Sequence, residues 1–188
     1  MTGRVSLHET LLTDIRAEFP HFEIRYKRDS PLQRAIGAFL AGVTFGAQRV
    51  YLTRYHTAMF GRLYVPDGWD EMGDEARYIL LRHERVHLRQ RRRLTGFGMG
   101  FVYLVPFFPV FLAYGRARLE WEAYVETLHA TAEVYGLEAA EALRGEIVRR
   151  YVGGDYAWMW PFAKTVNRWF DEAMHALRVS ASSFPRGS

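Results

Sequence analysis

At 188 residues, with 49% hydrophobic and 24% charged side chains, the chain is long enough to bury a sizeable core and too apolar for wholesale disorder. The absence of cysteine excludes disulfides, thiol nucleophiles and thiolate metal sites, so any metal must be held by His, Asp or Glu. The net charge of +4 rests on 23 arginines and only 2 lysines, a skew that points to nucleotide composition, so the basic charge is discounted as functional evidence and nucleic acid is not the expected partner.

The length predicts a single domain over residues 1–179, with a disordered tail over 180–188. Charges interrupt the apolar residues of Met1 to Phe19, so no secretory signal is read and a cytoplasmic location is expected. Val5, Leu7, Leu11, Leu12, Ile15 and Phe19 recur at helical spacing and predict a first helix closed by Pro20. A second helix is predicted over 31–45, with Ser30 as its cap and Pro31 in its first turn. From Arg49 to Val65 the β-formers Val50, Tyr51, Leu52, Thr53, Tyr55 and Thr57, then the run Met59 to Val65, predict one or two strands. Pro66-Asp67-Gly68 supplies a turn.

Asp74 is the expected cap of a helix from Glu75 to Leu94, with Gly96 as its stop and Arg89, Arg91, Arg92 and Arg93 as a solvated C-terminal end. One broad face of that helix carries Tyr78, Ile79, His83, Val86, His87 and Gln90. Further helices are predicted over 116–135, ending at Gly136, over 138–151, ending before Gly153-Gly154, and over 161–177. The fold class expected is α+β and mostly helical, with a short sheet or hairpin before the His83 helix and a helical C-terminal part.

His83-Glu84-Arg85-Val86-His87 is the sharpest chemical signal. Four residues apart on a helix, the two imidazoles share a face and can bind one ion, and Glu84 falls beside that ion rather than on it. A carboxylate there can take a proton from a water that zinc has acidified to a pKa of about 7. The bland alternative is two histidines stacked by chance on an amphipathic helix. With 7 His in the chain, chance yields the pattern in roughly 2% of such sequences, so the metal reading is preferred.

A catalytic zinc needs a third protein ligand. Gln90 and Arg93 stand where an extended motif would place its Gly and third His, which excludes the metzincin type. The next carboxylates are Glu120, Glu122 and Glu126. Glu120 shares its helical face with Ala123, Tyr124, Thr127 and Thr131, residues suited to packing, whereas Glu122 shares one with Glu126 and His129, which read as solvated.

Over roughly residues 50 to 130 the chain resembles the gluzincin class of zinc metallopeptidases, in a minimal single-domain form. In that class a Glu on a second helix, often in Glu-x-x-Ala, completes the site, and Glu120-Trp121-Glu122-Ala123-Tyr124 matches with Glu120 as ligand. The resemblance implies a zincin-like domain, Zn2+ held by His83, His87 and Glu120, Glu84 as general base, and a peptide or protein substrate. It also implies that the extended run Met59 to Val65 rims the cleft and pairs with substrate. Tyr124 departs from the pattern, standing where many members carry an Asp that supports a ligand histidine.

Leu94 to Gly115 has no charge over 22 residues, long enough to cross a bilayer, but glycines and two prolines interrupt it. A single crossing would also part His87 from Glu120. The segment is therefore read as a buried hairpin or pair of short core elements, with an apolar loop dipping into a membrane surface as the alternative. In the aromatic stretch Tyr151 to Pro161, Tyr156 or Tyr151 is the candidate to stabilise an oxyanion, against the bland reading of a packing lid. The rival to the peptidase is a zinc-containing module without turnover, docking on a membrane or nucleic acid through the basic helix and the apolar loop. Oligomeric state is not legible.

Overall fold

A computed structural model describes residues 5–43, 56–59, 61–104, 111–153, 160 and 162–183. The protein is α+β and mostly helical. In chain order it forms α1 (Leu7–Glu18), β1 (Glu23–Tyr26), α2 (Pro31–Val43), β2 (Thr57–Met59), β3 (Arg62–Val65), α3 (Asp74–Leu104), α4 (Phe111–Tyr135), α5 (Leu137–Ala142), α6 (Arg144–Val152) and α7 (Ala163–Ser183). Packing divides the chain into two compact units, Met1–Leu88 and Arg89–Ser188, and the division falls inside the unbroken helix α3.

In the first unit the strands make a three-stranded sheet in the order β1-β3-β2. β1 runs parallel to β3, pairing Ile24 with Leu63 and Tyr26 with Val65, and β2 runs antiparallel to it. Gly61 lies in the reversal between β2 and β3 at φ +77, a conformation open to glycine without a Cβ clash. Leu63, Tyr64 and Val65 are all buried, as befits a strand with neighbours on both sides. This corrects the expectation for Met59 to Val65. Residues 62–64 pair with β1 on one side and β2 on the other, so over that stretch the central strand has no edge to offer a substrate. Among the described residues of the run, Met59 belongs to an outer strand. The other strand-formers expected at 50–55 lie outside the described residues.

Ser30 caps α2 as expected, its Oγ accepting from the Gln33 N–H at 3.3 Å. Asp74 does something else. Its carboxylate accepts from the N–H groups of Leu7 (2.8 Å) and His8 (3.0 Å) and from the Ser6 hydroxyl (2.7 Å). It therefore closes the N-terminus of α1, where Ser6 Oγ also accepts from the Glu9 N–H. Standing at the start of α3 as well, its charge complements the positive ends of two helices.

Helix α3 does not stop at Gly96 but continues to Leu104. Glycine ends a helix by turning to positive φ, and among the described residues only Gly61 and Gly136 do so. A helical glycine costs about 1 kcal/mol, which surrounding structure can override. The arginine run 89–93 consequently sits within the helix, and the described parts of 94–115 are the end of α3, to Leu104, and the start of α4, from Phe111. No helix among the described residues is long and apolar enough to cross a membrane.

The second unit is built on an aromatic core. Ala117, Trp121, Tyr124 and Leu128 form one stripe of α4. They meet Ile147 and Tyr151 of α6 and Val166, Trp169, Phe170, Met174 and Leu177 of α7. Trp121 lies 5.8 Å from Trp169 and Tyr124 5.7 Å from Tyr151, ring centre to ring centre. Gly136, φ +90, ends α4 as expected. The helix expected over 138–151 is broken at Leu143 into α5 and α6. Gly153 caps α6, its N–H donating to the Arg149 carbonyl at 2.8 Å, and only glycine fits there because a Cβ would stand 2.6 Å from that oxygen. The last helix runs on through Ser183, past the position 180 where the tail was expected to begin.

Candidate metal centre

The spacing of His83 and His87 does in three dimensions what a helical period requires. Their Nε2 atoms stand 3.2 Å apart, with the ring planes at 73°. Two nitrogens bound to one tetrahedral zinc at about 2.0–2.1 Å stand about 3.3 Å apart, so the pair has the separation of a metal chelate. An N–H···N hydrogen bond between neutral imidazoles would have the same length. A third group lies close to the pair. One ligand atom each from His83, His87 and Glu120 all lie within 4.8 Å of one another. His87 and Glu120 are buried and His83 is partly so. A buried carboxylate facing two imidazoles is the donor chemistry of a hard-to-borderline divalent cation, and the three residues fit zinc.

Glu120 and Glu122 stand in different surroundings on α4. On α4 the stripe through Ala117, Trp121, Tyr124 and Leu128 is committed to the aromatic core. Glu120, 5% exposed, shares the adjoining face with Ala123 and Thr131, both buried, as the residue pattern predicts. Glu122 is exposed, and its carboxylate accepts a hydrogen bond from Gln90 Nε2 at 2.9 Å. His129 and His175 are at the surface.

Within the first unit Glu84 is buried, 7% exposed. Its helix is tied to α1 by Arg85, whose guanidinium pairs with Glu18 at 2.7 Å. Lys27 was not anticipated. It follows β1 in a short 3-10 turn, is 1% exposed and carries the charge that faces Glu84. Burial pulls its ammonium down to a pKa of about 8, against the opposing pull of the Glu84 carboxylate. One signal could have found it. In a chain whose cations are nearly all arginine, either lysine is a departure, and lysine is the cation that a buried site can discharge.

The two oxyanion candidates divide. Tyr151 is fully buried, and its hydroxyl donates to the Ala117 carbonyl at 3.2 Å, so it is a core residue of the second unit. Tyr156 lies outside the described residues. Tyr124 is also buried, and its hydroxyl accepts from Arg150 at 3.3 Å.

Comparison with known proteins returns no matching family model, no matching curated protein and no matching solved structure.

Proposed function

We propose that the protein is a zinc-dependent metallopeptidase of the gluzincin type, a zincin-like hydrolase acting on peptides or proteins. The observation that supports this most is the convergence of His83, His87 and Glu120 ligand atoms within 4.8 Å, with Glu84 next to the first histidine on the same helix. His83, His87 and Glu120 would hold the ion. Bound zinc would supply Lewis acidity, polarising the scissile carbonyl and acidifying water.

The remaining chemistry belongs to the chain. Glu84 accepts a proton from the attacking water as its oxygen bonds to the carbonyl carbon. As the C–N bond breaks, Glu84 passes that proton to the departing amine nitrogen. Burial of Glu84 beside Lys27 keeps this proton exchange away from bulk solvent. Among the described residues β2 is an outer strand of the sheet, and an extended peptide would add along it.

The test pairs metal content with turnover. Elemental mass spectrometry on protein purified without added zinc should find one zinc per chain, lost in Glu120→Ala and kept in Glu122→Ala. Glu84→Gln should retain the zinc and lose hydrolysis of unstructured peptide substrates. Undiminished hydrolysis in that variant would remove Glu84 from the mechanism, and a chain that takes up no zinc would remove the enzyme reading altogether.

A further inference from the structure

Three residues past His87 on the same helix stands Gln90, a side chain that the motif does not use. It is 2% exposed, an amide in a place where burial without hydrogen bonds is costly. Its Nε2 donates to the Leu119 carbonyl at 2.8 Å and to Glu122 Oε2 at 2.9 Å. Both partners are pure acceptors, so the amide nitrogen, with two hydrogens, is the end that must face them. The two anchors bracket Glu120, one immediately before it in sequence and one two residues after.

We infer that Gln90 is a positioning residue for the metal centre, its amide fixing the turn of α4 that carries Glu120 and holding the Glu122 carboxylate away from the ion. This rests on the zinc reading above. A helix can roll about its axis or slide along it, and either motion displaces the Glu120 carboxylate. A bond to the Leu119 main chain opposes sliding, and a bond to the Glu122 side chain opposes rolling. Gln90 lies one turn from His87 on a continuous helix, and its two bonds tie its own turn of α3 to the turn of α4 around Glu120. The contact gives the Glu122 carboxylate a partner on α3, which favours Glu120 over Glu122 as the ligand in this reading.

The experiment uses the full chain, titrated with zinc against a competing chelator and loaded separately with cobalt, whose visible absorption reports ligand number and geometry. Gln90→Met keeps the side chain's length and loses both donors. It should weaken zinc binding by roughly 10–100-fold, the range typical of residues that support metal ligands, and should change the cobalt spectrum. Glu122→Gln keeps an oxygen for the amide to bond and removes the charge a ligand would need. It should bind zinc within about threefold of wild type, with an unaltered cobalt spectrum. Unchanged affinity and spectrum in Gln90→Met would overturn the inference. So would weaker binding that merely follows a lower melting temperature of the metal-free protein while the spectrum stays the same. Loss of zinc in Glu122→Gln would make Glu122 the ligand and refute it from the other side. Wild-type protein that binds no zinc would instead overturn the metal reading, and this inference with it.

Discussion

The two units are held together internally by different means. In the first, the helix bearing His83, Glu84 and His87 is tied down by charge: Asp74 to the start of α1, Arg85 to Glu18, and Lys27 facing Glu84. In the second, α4 is held by aromatic packing on α6 and α7, with few ionisable groups among the core residues. The first unit's stability should therefore respond to pH and the second's to volume. Dispersion and burial carry no pH dependence, whereas each buried or bonded ionisable group links folding to proton binding.

The largest effect is expected where packing dominates. Phe170 is fully buried in the aromatic core, and Phe170→Ala should cost about 3–5 kcal/mol in chemical denaturation, nearly the same at pH 6 and pH 9. A loss that varied strongly with pH would blur the contrast between the units.

Lys27 tests the opposite case. Its native pKa of about 8 lies below the ordinary lysine value of 10.5, so between those values the unfolded chain binds more protons than the native one. Stability therefore rises with pH across that window. The full rise amounts to on the order of 3 kcal/mol for this group. Lys27→Met should remove the rise, and wild-type and variant curves that stay parallel from pH 7.5 to 10.5 would contradict the assignment.

Asp74 titrates in the acid range. Hydrogen bonds from Ser6 and His8 hold its carboxyl well below the usual carboxylate range, so its contribution is complete above about pH 4 and is lost as the pH falls toward the lowered native value. Asp74→Asn should lower the melting temperature at pH 7, and its deficit should shrink in acid. The smallest effect belongs to the pair Glu18–Arg85, partly exposed on both sides. Glu18→Gln should cost about 0.2–1 kcal/mol, with most of it gone in high salt.

What could be read beforehand follows the range of the interactions. The histidine spacing and the Gly136 stop are local, governed by one helical period or one backbone angle, and both are legible. The helical stretch α4 was equally plain from its pattern. Glu120 needed more: the composition of its face, together with a resemblance. β1 was missed because Glu-Ile-Arg-Tyr is short and half charged, and it becomes a strand only by pairing with β3 far along the chain. Asp74 was read as a cap for the helix it begins, since sequence shows neighbours and not the α1 terminus brought against it. Gln90 was visible on the motif face, but its partners are 29 and 32 residues away, and nothing nearby hints at them. The helical course of 94–104 through three glycines shows propensity giving way to context.

The continuity of α3 bears on how the protein can be dissected. The division between the units falls one residue after His87, with no loop there to receive a cut or an inserted sequence. Fragments separated at that point would sever a single helical turn, leaving the histidines on one piece and Gln90 with Glu120 on the other. Any split-protein reporter or domain swap made from this chain should therefore place its junction elsewhere.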